Sequence, residues 1–191
     1  ISLYLDKKEV KSEKGELLFA DYGLSGIAIM QLSAFVARHF NNSKTLPVVS
    51  IDLIPDYDFS FIKDTLRRLS ERNPEGTADT LLMGFMPKKV GEAILKECRI
   101  RPDAKLKTFG NKELSLIVST SKSWCHEING TKDFADGQVV SGGALCKEFS
   151  SETLESKKHS GLYCTGELLD VDGLCGGYNL LWAWSSGRLC G

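Results

Sequence analysis

Residues 161–187 read GLYCTGELLDVDGLCGGYNLLWAWSSG, and this stretch decides the fold. A short apolar strand, Gly161-Leu162-Tyr163-Cys164-Thr165, is expected to end at Gly166-Glu167. An acidic loop then passes Asp170 and Asp172, and Gly176-Gly177 lead into a helix. Residues 178–189 of that helix carry Leu180, Leu181, Trp182, Ala183, Trp184 and Leu189, apolar on most sides, so burial is expected. A buried helix start leaves several backbone N–H groups in need of partners. Those groups and the helix dipole favour negative charge nearby. Paired glycines remove side chains and let a flat or phosphorylated ligand reach the backbone. Glu167 offers a carboxylate able to accept hydrogen bonds from ligand hydroxyls. The competing reading makes the glycines a tight turn and the two aspartates solvated loop charges.

Upstream of this stretch, the chain from Ser123 is rich in strands and turns. Trp124–Ile128 reads as a strand, Asn129-Gly130 as a tight turn, and Gln138–Ser141 as a strand running into Gly142-Gly143. The middle is helical. Residues 58–72 fit a polar amphipathic helix with Phe59, Ile62, Leu66 and Leu69 on one face. Thr77–Phe85 and Lys88–Cys98 read as two shorter helices, the second entered through Pro87. Such a run of helices after strands suggests a small helical subdomain inserted in a sheet protein. Lys112–Ser121 fits a helix or a buried strand, with the helix preferred.

Near the start, Ser2–Asp6 and Glu16–Ala20 are strand-like, and Gly15 between them suggests a hairpin or sheet edge. Ile27–Phe40 has an apolar stripe near helical period, with Ser25 as the expected cap. Pro47–Ile54 is a β-branched strand closed by Pro55.

Composition narrows the function. The 191 residues are 42% hydrophobic and 26% charged, with a formal net charge of −1. That balance gives no chain-wide footprint for nucleic acid and no basic face for anionic lipid. No run approaches a membrane span and no leader opens the chain, so a cytoplasmic location is expected. The six cysteines lack any C-x-x-C pair and read as reduced, small apolar residues. The three histidines lack helical metal-site spacing, and no metal is expected. Ile1 in place of methionine, and Gly191 directly after a helical pattern, are read as cuts through a longer protein.

The segment 161–187 resembles the C-terminal signature of a bacterial family of NAD(P)/FAD-dependent oxidoreductases that includes flavoproteins of the aminoacetone oxidase type. The family pattern is close to G-L-Y-F-A-G-E-x-x-D-x-x-G-x-x-G-G-Y-N-L-Q-x-A. Gln138-Val139-Val140-Ser141-Gly142-Gly143 is similar to the family's Q-V-T-A-G-G, and Thr153-Leu154-Glu155-Ser156-Lys157 to T-M-E-S-K. Gly15-Glu16-Leu17-Leu18-Phe19 with Tyr22-Gly23-Leu24-Ser25-Gly26 is similar to G-E-L-L-F-T-H-Y-G-I-S-G-P. The departures are Val140-Ser141 for T-A, Ile27 for Pro, and Cys175 for the usual Thr.

The resemblance implies an α+β, multi-domain protein. Its parts would be a Rossmann-like FAD-binding domain interrupted by a β-rich insert and a small helical insert. Residues 1–55 would form the β-rich region with one helix, 56–100 the helical insert, 101–134 a return segment, and 135–191 the C-terminal part of the FAD domain. Gly166 and Glu167 would face the ribityl-pyrophosphate region. Gly142 and Gly143 would pass close to the ring, Gly176, Gly177, Tyr178 and Asn179 would lie against the isoalloxazine, and Asp170 and Leu180 would also belong to the cofactor site. Backbone N–H groups there would meet the flavin edge that carries negative charge when reduced. A small organic substrate would exchange hydride with the flavin, with NAD(P)H left open as a donor.

No G-x-G-x-x-G follows a strand here, so the dinucleotide-gripping βαβ unit is missing. The chain alone is therefore expected to bind FAD weakly or not at all and to be inactive. Its expected partner is an N-terminal FAD-binding segment. The alternative is a stable, non-catalytic domain that serves packing or partner contact.

Overall fold

In the computed structural model, which describes residues 1–137 and 139–191, β1 (Ser2–Leu5) turns through Asp6 and Lys7 into β2 (Lys8–Ser12). Leu5 pairs with Lys8, and both turn residues have positive φ, 50° and 66°. Two left-handed residues match the twist of a two-residue hairpin. The turn therefore lies here and not at Gly15. The expected partners Ser2–Asp6 and Glu16–Ala20 belong to different sheets, the latter as β3 (Leu18–Ala20) paired with β4 (Gly23–Ser25).

The chain forms two compact units, each discontinuous in sequence: Ile1–Ser12 with Leu46–Ile128, and Glu13–Thr45 with Asn129–Gly191. The architecture is mixed α+β.

The first unit holds a four-stranded antiparallel sheet in the order β2-β1-β5-β6, where β5 is Val48–Ile51 and β6 is Trp124–Glu127. Leu3 pairs with Val49, and both are buried, so period-two alternation puts them on one covered face. β6 pairs with β5, not with a strand at 138–141. Gln138 lies outside the described residues, and Val139–Ser141 form no strand.

Between β5 and β6 run α2 (Phe59–Arg72), α3 (Ala78–Leu82), α4 (Lys88–Glu97) and α5 (Asn111–Lys122). The Asp58 side chain caps α2 by accepting from Phe61 N–H at 2.7 Å. The buried stripe of α2 is Ile62, Leu66 and Ser70; Phe59 and Leu69, expected on that face, are exposed. Ile62 and Leu66 share a core with Leu114, Ile117 and Val118 of α5 and with Leu82, Ile94 and Leu95 of α3 and α4. Each such side chain contributes roughly 1.5–3 kcal/mol on burial. Gly91 lets α4 approach α3, since an added Cβ would lie 3.2 Å from Leu82 Cβ. At the end of α5, Lys122 Nζ pairs with Asp52 at 2.7 Å and donates to the carbonyls of Ile54 and Tyr57 at 3.0 and 2.8 Å. This fixes the β5–α2 loop.

In the second unit, α1 (Ile27–Asn42) is capped by Gly26, not Ser25, which ends β4. Gly26 has φ +106°, and an added Cβ would lie 2.4 Å from Glu16 O, so the backbone of 16–17 crosses too closely for any side chain. Ala28, Leu32, Val36 and His39 form the buried stripe of α1. His39 Nε2 lies 2.9 Å from Thr45 Oγ1.

The described residues of 129–177 contain little regular structure. The strand expected at 161–165 reduces to a single bridge, Glu155 to Tyr163. Ala144 and Leu169 form a parallel bridge, and α6 (Tyr178–Cys190) closes the chain. Phe149, Leu154 and Leu169 form a small core, against which Cys164, Val171, Trp182 and Cys190 pack.

Candidate functional site

The glycine-bearing loops of the second unit are held against one another and against α6 by their backbones. Ala144 N–H donates to Leu168 O at 2.8 Å, and Asp170 N–H donates to Ala144 O at 3.0 Å. This leaves no room at residue 143, where a Cβ would lie 2.8 Å from Leu168 O and Leu169 C. Gly143 thus lets the chain pass close to its own 168–170 segment. Gly142, with φ +107°, faces open space.

Gly166 opens a short 3-10 turn (Gly166–Leu168) with φ +59°. Its N–H donates to Ser186 Oγ at 2.9 Å, and its carbonyl accepts from Trp182 Nε1 at 3.1 Å. Gly173 makes a similar reciprocal pair with Asn179. The Gly173 N–H donates to Oδ1 at 2.7 Å, and Nδ2 donates back to Gly173 O at 3.2 Å. Asn179, Trp182 and Ser186 lie at helical spacing, so one stripe of α6 is turned onto its own unit.

The opposite stripe is the bulky apolar one. Leu180, Leu181 and Trp184 are 69%, 62% and 80% exposed, and Ser186 is the buried residue of α6. The burial expected for 178–189 is therefore overturned. The inward stripe is built from small and hydrogen-bonding groups, which leaves the large side chains facing out.

The entrance of α6 is open on the side of Gly176 and Gly177, while Gly173 lies against the Tyr178–Asn179 backbone. Gly176 and Gly177 have φ of +110° and +98°, and no atom lies within 4 Å of a Cβ built at either. Gly177 is the N-cap and no side chain caps the first turn. Tyr178 beside it is 58% exposed. Glu167 and Asp170 are exposed, and neither carboxylate has a hydrogen-bond partner among the described residues.

Asp172 is engaged, in a cluster with no local sequence signal. Its Oδ2 pairs with Arg38 of α1 at 2.7 Å and accepts from Ser141 Oγ at 2.7 Å, while Arg38 also donates to Ser141. The cluster ties the loop before Gly142 to the loop before Gly173. Separately, an apolar cavity of about 220 Å³ opens beside Cys146, Phe149, Leu154 and Trp182. All six cysteines are free, and burial pushes the Cys98 thiol above its ordinary value. Among the described residues no helix is long and apolar enough to cross a membrane.

An antiparallel sheet carrying a helical module, joined to glycine-loop segments that leave an open helix start, defines an α+β protein with a module inserted between parts of a second unit. The chain belongs to the HI0933-like family: the family model described as "HI0933-like protein barrel and H2TH domain" matches residues 1–139. It is 32% identical over 191 residues to the 3-dehydro-bile acid delta(4,6)-reductase of Clostridium scindens, covering 100% of this chain and 46% of that protein. It is 35% identical over 174 residues to the ribosomal RNA dihydrouridine synthase of Escherichia coli, covering 91% of this chain and 41% of that one. The protein of the same name from Haemophilus influenzae is 33% identical over 180 residues, with 94% and 42% covered. The chain thus spans less than half the length of these relatives.

Proposed function

We propose that this chain supplies the isoalloxazine side of an FAD-dependent oxidoreductase that adds hydrogen across a carbon–carbon double bond. The observation that carries this reading is the open, uncapped start of α6 behind Gly176 and Gly177. It suits a flat ring with an electron-rich edge, because bare amides and the helix dipole stabilise negative charge there. Gly142 offers a second stretch of backbone free of side-chain bulk. Glu167 and Asp170 present unengaged carboxylates to sugar or ribityl hydroxyls. FAD, when bound, would supply the two-electron transfer, and the residues of this chain would orient its ring.

Two of the relatives' names support the reductive direction, since a delta(4,6)-reductase and a dihydrouridine synthase both describe saturation of a double bond. We adopt it over the oxidase direction of the aminoacetone oxidase type. NAD(P)H is the natural electron donor for such a reduction. The nucleotide end of FAD would be held by a Rossmann-like N-terminal segment, and the apolar face of α6 would pack against that segment. The positive φ of Gly176 and Gly177 already calls for glycine, and what the ligand reading adds is a use for the empty space beyond both.

The test is reconstitution. Mixing or co-expressing this chain with the N-terminal segment should give a complex with flavin absorbance, and Gly176→Val should lose more of it than Gly176→Ala, which carries backbone strain at the same positive φ with less bulk. A colourless complex, or full flavin retention by Gly176→Val, would overturn the reading. Tight FAD binding by this chain alone would overturn the division of labour.

A further inference from the structure

An exposed aromatic pair stands at the start of α2, in the first unit and outside the glycine loops. Tyr57 and Phe61 stack with ring centroids 4.7 Å apart and an interplanar angle of 11°. They are 50% and 47% exposed. The pair sits at N′ and N3 about the Asp58 cap, beside the usual hydrophobic-staple positions, and both rings keep about half their surface in solvent. Here the backbone holds the pair without covering it. Lys122 fixes the Tyr57 carbonyl and Asp58 caps the turn that carries Phe61.

From Phe61 the same helical stripe continues through Thr65, Arg68 and Arg72 at i+4, i+7 and i+11. Arg68 Nη2 donates to Thr65 Oγ1 at 3.3 Å, which turns the guanidinium back toward the aromatic end. Phe61, Asp64, Arg67, Arg68 and Glu71 line one surface groove. Arg67 is occupied by Asp64 at 2.6 Å, whereas Arg68 and Arg72 make no ion pair among the described residues.

We propose that this stripe is a binding site for single-stranded RNA. An unpaired base would stack on Tyr57–Phe61, and the flanking phosphates would meet Arg68 and Arg72. A π-face beside guanidinium groups fits a base followed by a phosphate, since stacking is tolerant of base identity and the arginines complement the backbone charge. Whole-chain charge is near neutral because it averages over this stripe, which is why composition gave no nucleic-acid footprint. Two relatives act on ribosomal RNA by name, which makes RNA a chemically coherent substrate class for the oxidoreductase reading. The inference rests on that reading for the base's fate, but RNA capture itself needs no flavin.

The experiment is fluorescence anisotropy of the full chain with a labelled single-stranded RNA and with its duplex. The single strand should bind more tightly, and Tyr57→Ala with Phe61→Ala should weaken it about tenfold. Arg68→Gln with Arg72→Gln should lower the slope of log affinity against log salt by about 1.4. If the alanine pair unfolds the helix, Phe61→Leu keeps the bulk, removes the ring, and should show the same loss. Equal affinity for duplex and single strand, or parental affinity in a folded Phe61→Leu variant, would overturn the proposal. So would binding to anionic vesicles but not to RNA. Flavin retention in the reconstituted complex is measured in parallel: loss of flavin with RNA binding intact sinks only the oxidoreductase reading.

Discussion

The amide of Gly166 donates to Ser186 Oγ at 2.9 Å, and the Ser186 hydroxyl donates in turn to the carbonyl of Trp182 at 2.7 Å. A loop glycine and a helix serine twenty residues apart thereby satisfy each other in a buried setting. Removing the hydroxyl strands the Gly166 N–H away from water. Ser186→Ala should therefore cost about 1–3 kcal/mol, the penalty for an unsatisfied buried donor. Urea unfolding followed by circular dichroism checks this; a loss below about 0.5 kcal/mol would mean that water reaches the amide.

The Asp6-Lys7 turn makes a prediction of the opposite sign. Both residues sit in left-handed backbone, where a side chain is strained and glycine is not. Lys7→Gly converts the turn to Asp-Gly, the favoured two-residue hairpin pair. A gain of about 0.5–1 kcal/mol is expected after the entropy cost of glycine. Thermal unfolding should shift up by about 1–4 °C, as scaled for a chain of this size.

Acid stability should depend on Thr77. The Asp79 carboxyl is held below its ordinary 3.8, first by the hydrogen bond from Thr77 Oγ1 at 2.5 Å, with a lesser contribution from the Thr80 N–H. A depressed carboxyl stabilises the fold above the unfolded value, and that stability is lost as pH falls through the folded one. Thr77→Val removes the main cause, so the acid unfolding limb should move to higher pH. Circular dichroism recorded against pH below 5 reads the shift, and an unchanged limb would show that Thr77 does not hold the charge.

The Arg38–Asp172 pair should matter little for global stability. Its side chains are 54% and 40% exposed, so solvent screens it. A double-mutant cycle with Arg38→Ala and Asp172→Ala should give a coupling of under about 1 kcal/mol that shrinks with added salt. Amide exchange around Gly142 and Gly173 should quicken in either single variant, because the pair ties their loops together.

Local patterning made the helices legible. α2, α4 and α5 carry apolar residues at helical spacing, and Asp58 and Pro87 punctuate their starts. β2 was hidden because Lys8–Ser12 is polar and is recruited by a turn built from two non-glycine residues. Ser25 looked like a cap because its side chain suits one, whereas the close crossing of Glu16 decides for Gly26. In the candidate site, the sequence pointed to the glycines but not to what each one does. Gly143 and Gly166 are spent on internal packing, while Gly142, Gly176 and Gly177 face open space. The Arg38–Ser141–Asp172 cluster joins residues 103 and 134 positions apart, and no local pattern reports such a meeting.

The outward face of α6 gives the sharpest test of a covering segment. Soluble proteins rarely leave adjoining large apolar side chains bare, so Leu180, Leu181 and Trp184 together mark a surface built to be covered. Trp184→Glu should leave the stability of this chain within about 0.5 kcal/mol of the parent, because the side chain touches solvent and not the core. On the proposed reading, the same change should prevent assembly with the proposed Rossmann-like segment, since it would bury an unpaired carboxylate. Tryptophan emission of the parent should shift to the blue on assembly as Trp184 leaves water. If Trp184→Glu assembles as the parent does, or if emission does not move, the α6 face is not the contact and another surface must receive the segment.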